Sequence, residues 1–198
     1  MVNLVEPRPD IALMGAARSG KDAVADYLVA TYGYVKIGFA DPVKDVALSI
    51  DPIICAADDL IDWGNEDLRL SEYVKAYGWE AAKDNHPEVR RFLVGLGHGM
   101  RQKDPEVWLR IALGAVAEYR TAGRPVVISG CRYENEYYAL AAAGFQMVRV
   151  HREAAQAVGV DPDHPSESEG RRLHANLDIH NDGSLDDLYR TIDHHTAA

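Results

Sequence analysis

Cysteine is scarce in this chain. Cys55 and Cys131 are the two present, far apart and with no C-x-x-C spacing. That leaves no disulfide framework and no cysteine zinc site, and it fits a reducing compartment. Long apolar runs are also missing. None approaches the roughly 18 residues that cross a bilayer, so no membrane partner is expected. The opening MVNLVEPRPD lacks the pattern of a signal peptide, and the expected location is cytoplasmic. Basic residues are outnumbered: 21 Lys and Arg face 31 Asp and Glu, a formal charge of −10. Binding along a nucleic-acid backbone needs a basic face, so no nucleic-acid partner is expected either. A few converging cations can still hold a small anion. Internal repeats and low-complexity segments are absent.

What is present suits a single domain. The 198 residues, 47% of them hydrophobic, are enough for a sizeable core. Short apolar runs alternate with helical patterns. IALMG (11–15) predicts a buried strand. Val24, Leu28 and Tyr32 then recur every four residues, as on one face of a helix. YVKIGFA (34–40) predicts a second strand, and Asp41-Pro42 opens another helix. Residues 50–85 predict a loop-rich insertion with one or two short helices, and their aromatic cluster, Trp63 to Trp79, a small satellite core. Residues 87–97 and 105–123 predict helices that start at proline and end at glycine.

PVVIS (125–129), QMVRVHR (146–152) and LDIH (177–180) predict three more strands, with a helix over 133–144. The polar stretch 159–172 predicts a loop. Ser184, with Asp187 three residues on, predicts a capping box for a last helix striped by Leu185, Leu188 and Ile192. Strands alternating with helices predict an α/β fold with a parallel sheet covered on both faces.

Gly15-Ala16-Ala17-Arg18-Ser19-Gly20-Lys21 fits G-x-x-x-x-G-K. It has a hydrophobic strand before it and an amphipathic helix after it, the context a phosphate-binding loop requires. Glycines let the backbone curl so that N–H groups point at phosphate oxygens. The following helix adds its positive end, and Lys21 reaches the β- and γ-phosphates. The usual Ser or Thr after the lysine is replaced by Asp22.

SGKDAVADYL followed by FADPVKD resembles the deoxynucleoside monophosphate kinases of bacteriophages. So do RRFLVGLGHGMRQKDPEVWL (90–109), VVISGCRYENE (126–136) and HPSESEGRRLHANLDIHNDGSLDDL (164–188), in the same order. The resemblance implies a P-loop kinase fold over 1–198 with a parallel sheet of about five strands, an acceptor-binding region at 41–108 and a lid at 152–176. It implies transfer of the γ-phosphoryl group of ATP to a deoxynucleoside monophosphate, with Mg²⁺, and a homodimer. Two departures stand out. Ala23 replaces a common threonine, and Gly130 replaces an aspartate after the third predicted strand that would hold magnesium or its water.

Phosphoryl transfer needs positioning and charge neutralisation, and a phosphate acceptor demands no general base. The candidates are therefore mostly cations. ATP is expected on Gly15 to Ala23 and on one of Arg152, Arg171 and Arg172 from the lid, with Arg18, Lys21, Arg101 and Arg132 as the catalytic cations. Arg101 is the candidate clamp for the acceptor phosphate, because guanidinium grips phosphate at two points. Arg90 or Arg91 is expected to join it. Lys44, near Asp41, is either an acceptor contact or a solvated helix lysine. Arg132 follows the third predicted strand at the edge where ligands gather, with Glu136 one turn on to orient it or merely to pair with it. Asp104 and Trp108 fit the family motif, Trp108 as core or pocket wall. His164, Ser166 and Glu167 fit its lid motif.

With no hydroxyl at 22 or 23 and no acid at 130, Asp22 is the remaining carboxylate to hold Mg²⁺. Its other reading is a helix-start residue favoured by the dipole. A related small-metabolite kinase, such as one similar to dephospho-coenzyme A kinase, and a nucleotide-binding regulator without turnover are the alternatives.

Overall fold

β1 (Ile11–Met14) is buried along its whole length, as a strand covered on both faces must be. The structure, a computed structural model, describes residues 8–16, 18–55, 67–153 and 172–196. Its chain divides into two compact units, one of residues 1–39 and 109–198 and one of residues 40–108.

The first unit holds a five-stranded parallel sheet in the order β2-β5-β1-β6-β7. Its strands are β1, β2 (Val35–Gly38), β5 (Val126–Ser129), β6 (Gln146–His151) and β7 (Leu177–His180). Its helices are α1 (Lys21–Tyr32), α6 (Glu134–Ala142), α7 (Leu185–Thr196) and nearly all of α5 (Val107–Thr121). Ile11, Leu13, Val127, Val148, Val150 and Ile179 on one sheet face pack with Val24 and Leu28 of α1 and Leu188 and Ile192 of α7. The strand neighbours of these residues, Ala12, Met14, Ile128 and Met147, are buried too, so both faces are covered.

β1 lies in the middle of the sheet, between β5 and β6. The chain leaves it toward β2 on one side and crosses from β5 to β6 on the other. The carboxyl end of β1 is therefore the switch point where open α/β sheets bind ligands. The α/β fold expected from the alternating pattern is the fold observed.

The second unit contains α2 (Asp41–Ile50), a hairpin of β3 (Ile53–Cys55) and β4 (Leu68–Arg69), α3 (Leu70–Asn85) and α4 (Pro87–Lys103). Ala47, Ile54, Leu70, Tyr73, Ala82 and Val89 form its core. Two sequence expectations fall in this unit. Within 50–85 the described residues carry the paired strands β3 and β4, which the sequence does not predict, and then two short stretches of helix either side of a break at Gly78 (φ 82°, ψ 168°), as expected. Helix α4 does not end at Gly97 but runs through it to Lys103. A glycine inside a helix costs about 1 kcal/mol, an amount that tertiary packing offsets. Gly97 lies against the Val43 side chain, and its carbonyl also accepts the Trp108 indole N–H at 3.0 Å. Trp63 lies outside the described residues. Among the described residues, no helix is long and apolar enough to cross a membrane.

Candidate phosphate-binding site

At the end of β1 the chain turns at Gly15, with φ 130°. A Cβ there would stand 2.3 Å from the backbone oxygen of Val150, so only glycine fits. Gly20 closes the turn with φ 105°, and its Cβ would stand 2.3 Å from Nδ2 of Asn181. Between them Ser19 donates its N–H to Ala16 O at 3.2 Å, and Arg18 is exposed with φ 62°. Ala17 lies outside the described residues.

Gly20 is also the N-cap of α1 and offers no side chain to cap it. The first N–H groups of a helix have no partner within it. Here that start lies at the loop, together with the positive end of the helix dipole. Lys21 is nearly buried. Its ammonium donates to Gly15 O at 2.9 Å, Ala16 O at 2.6 Å and Ser19 Oγ at 3.5 Å. The loop thus gathers a cation and backbone donors, the physical make-up of an anion site.

Asn181 supports the loop from behind. Its backbone N–H donates to His151 O at 2.8 Å, just past β7, and its side chain donates to Ser19 O at 2.9 Å. It is 6% exposed. The sequence shows an Asn-x-Gly-Ser turn here but not this role. The one signal was a polar residue directly after a strand, at the sheet edge where β1 also ends.

Asp22 is largely exposed, and its carboxylate meets the Lys36 ammonium of β2 at 2.9 Å. Gly130 follows β5 with φ 87° and open space where a Cβ would be. Glu136 is buried and meets Arg132 through the backbone: its carboxylate accepts the N–H groups of Arg132 at 2.9 Å and Tyr133 at 3.2 Å. Burial, and then the nearby Glu136, push the Cys131 thiol well above its ordinary range. Arg152 and Arg172 are exposed, while His164, Ser166, Glu167 and Arg171 lie outside the described residues. Among the described residues no cluster of three or more His, Cys, Asp or Glu could hold a metal.

In the second unit Lys44 pairs with Asp41 at 2.9 Å and Arg90 with Asp84 at 3.2 Å, while Arg91 is exposed. Arg101, half-buried, donates to Pro105 O at 3.5 Å. Asp104 accepts the Glu106 N–H at 3.1 Å. Trp108 is buried, as core.

No family model matches the chain. It is 24% identical over 193 residues to a protein of Acanthamoeba polyphaga mimivirus whose name reads "Putative deoxynucleotide monophosphate kinase". That alignment covers 92% of this chain and 93% of the viral one. Among solved structures it is similar to TT1252 from Thermus thermophilus, with a TM-score of 0.50, 17% identity and coverage of 97% and 98%. The dephospho-CoA kinase from Campylobacter jejuni scores 0.48 at 11% identity, with coverage of 98% and 100%. At 17% identity the likeness to TT1252 is one of fold alone.

Proposed function

We propose that this protein is a kinase that transfers the γ-phosphoryl group of ATP to a deoxynucleoside 5′-monophosphate. The observation that carries the reading is the start of α1, which no side chain caps, with the Lys21 ammonium held at its mouth by contacts that include two loop carbonyls and the Ser19 hydroxyl. Phosphate oxygens are stronger acceptors for that ammonium than those carbonyls, because they add the attraction of a full negative charge. Bound phosphates would draw Lys21 to themselves and accept from the N–H groups at the helix start. In this reading Lys21 and Arg18 neutralise charge developing on the transferred group.

The acceptor half of the reading rests on the family resemblance and on the viral relative's name. It assigns Asp41, Lys44, Arg90, Arg91, Arg101, Asp104 and Trp108 to acceptor binding, with Arg132 and Glu136 at the β5 edge, and Arg152 to ATP. Mg²⁺ would arrive with ATP, where it neutralises phosphate charge. One protein carboxylate plus phosphates and water is an ordinary set for Mg²⁺. Asp22, exposed beside the loop, would supply that carboxylate directly or through water.

The test is a coupled assay of ADP release from Mg-ATP with dAMP, dCMP, dGMP and dTMP in turn. The expected result is turnover with at least one. Release with none of them, alongside measurable ATP binding, would leave a different small acceptor or the second reading. That reading, a nucleotide-binding regulator without turnover, is favoured by Gly130, which puts no acid after β5.

A further inference from the structure

Asp22 poses a problem that the phosphate loop alone does not solve. Its carboxylate follows Lys21 directly, on the first turn of the helix that phosphates would approach, and like charges repel. Asp26, one turn further along α1, adds a second carboxylate on the same face. Both reach a single cation. Lys36 Nζ lies 2.9 Å from Asp22 Oδ1 and 2.9 Å from Asp26 Oδ1. Lys36 comes from β2, the edge strand, where it pairs in register with Val127 of β5. The strand is thus tied to the sheet while its ammonium reaches the start of the helix.

We propose that Lys36 is a built-in counter-ion of the phosphate loop, one ammonium shared between two carboxylates so that nucleotide can bind beside Asp22. The proposal rests on the phosphate-loop reading above. Two acceptors at equal distance let the ammonium pass to Asp26 without losing a partner. Asp22 can then turn toward a metal ion that enters with ATP, and Lys36 offsets part of its charge when no metal is present. Burial alone would lower the Lys36 pKa, but its bonds to Asp26 and Asp22 outweigh that and raise it, so the ammonium stays charged through the neutral range. Lys36 acts through Asp22 and is a positioning residue.

The test is a mutant cycle read as ATP affinity, by displacement of a fluorescent ATP analogue, in EDTA and in Mg²⁺. Lys36→Met is expected to weaken metal-free ATP binding about three- to fivefold, the upper scale of an exposed charge contact. In the Asp22→Asn background the same change should move affinity by less than about twofold. Excess Mg²⁺ should narrow the loss from Lys36→Met. Equal effects of Lys36→Met with and without Asp22, or an unchanged metal-free affinity, would overturn the proposal.

A second pair avoids any folding defect from the lysine change. Asp26→Asn, at an exposed site, should tighten metal-free ATP binding by giving Lys36 wholly to Asp22, and should do nothing once Asp22 is Asn. An equal effect in both backgrounds overturns the proposal as well. Wild-type protein that binds no ATP even with Mg²⁺ would overturn the phosphate-loop reading itself. ATP binding without coupling among the three residues would overturn the role of Lys36 alone.

Discussion

Two helices in the first unit begin just after a sheet strand and start in opposite ways. Helix α7 opens with Ser184, whose Oγ accepts the Asp187 N–H at 3.2 Å while the Asp187 carboxylate accepts the Ser184 N–H at 3.0 Å. Each group satisfies the other's backbone donor from the local sequence. Helix α1 opens at Gly20, with no side-chain cap and with buried Lys21 beside it. The same backbone physics leaves open donors at both starts. One start is capped by its local sequence, and at the other, in the proposed function, phosphate oxygens would take that place. Helices α2, α3 and α4 also start without a side-chain cap, so what sets the α1 start apart is the nearly buried lysine beside Gly20, and that supports the proposed phosphate site.

Breaking the open start should have the largest effect. Lys21→Ala is expected to lower turnover by about 10² or more, on the scale of losing one preorganised donor in the transition state. Single-turnover kinetics would check it, and a near-wild-type rate would remove the phosphate-loop assignment. Gly15→Ala should come next, seen as a fall in thermal stability together with loss of ATP binding. Its Cβ meets the backbone of Val150, which cannot rotate away as a side chain can. The expected destabilisation is about 2–3 kcal/mol. A variant that melts like wild type would mean that the loop adopts another turn.

Asn181→Ala sharpens the contrast, because it removes the bond to Ser19 O without touching any loop residue. A carbonyl left without its buried partner costs about 1–3 kcal/mol. ATP affinity should fall with it if the loop's shape is held from β7, and isothermal titration would measure both sides of that claim. The capped start gives the smallest effect. Ser184→Ala should lower Tm by about 2–4 °C, the usual result of losing a cap in a chain of this size. ATP binding should be unchanged, and a change in it would mean that α7 also serves the loop.

The same cap carries a pH signature. The Ser184 hydroxyl and backbone N–H, with Arg190 nearby, hold the Asp187 pKa below its ordinary value. A carboxyl whose pKa is depressed on folding contributes stability above its unfolded pKa and loses it as pH falls through the folded value. Helix α7 should therefore loosen on acidification below the ordinary aspartate range. Asp187→Asn should flatten that part of the acid dependence, as followed by far-UV circular dichroism against wild type.

The sequence by itself determined the elements and the loop. The apolar runs 11–15, 125–129, 146–152 and 177–180 all became strands of one parallel sheet, because β periodicity and length are local properties. The Ser184–Asp187 box was legible for the same reason, since a cap is made by residues three apart. The G-x-x-x-x-G-K pattern was legible because its glycines serve positive-φ turns. Residues 50–85 were less legible. Their apolar residues meet only after a hairpin and a broken helix bring Ile54, Leu70 and Ala82 together, and no single period records that.

Tertiary structure alone decided what stands around the loop. Asn181 reaches Ser19 across 162 positions of sequence, and Val150 walls in Gly15, because parallel pairing of β1, β6 and β7 brings their carboxyl ends side by side. It also decided the partner of Asp22. From sequence that residue was a helix-start acid or a metal ligand. Its Lys36 contact depends on β2 being placed so that its lysine meets the first turns of α1, and a long-range ion pair leaves no trace in local spacing.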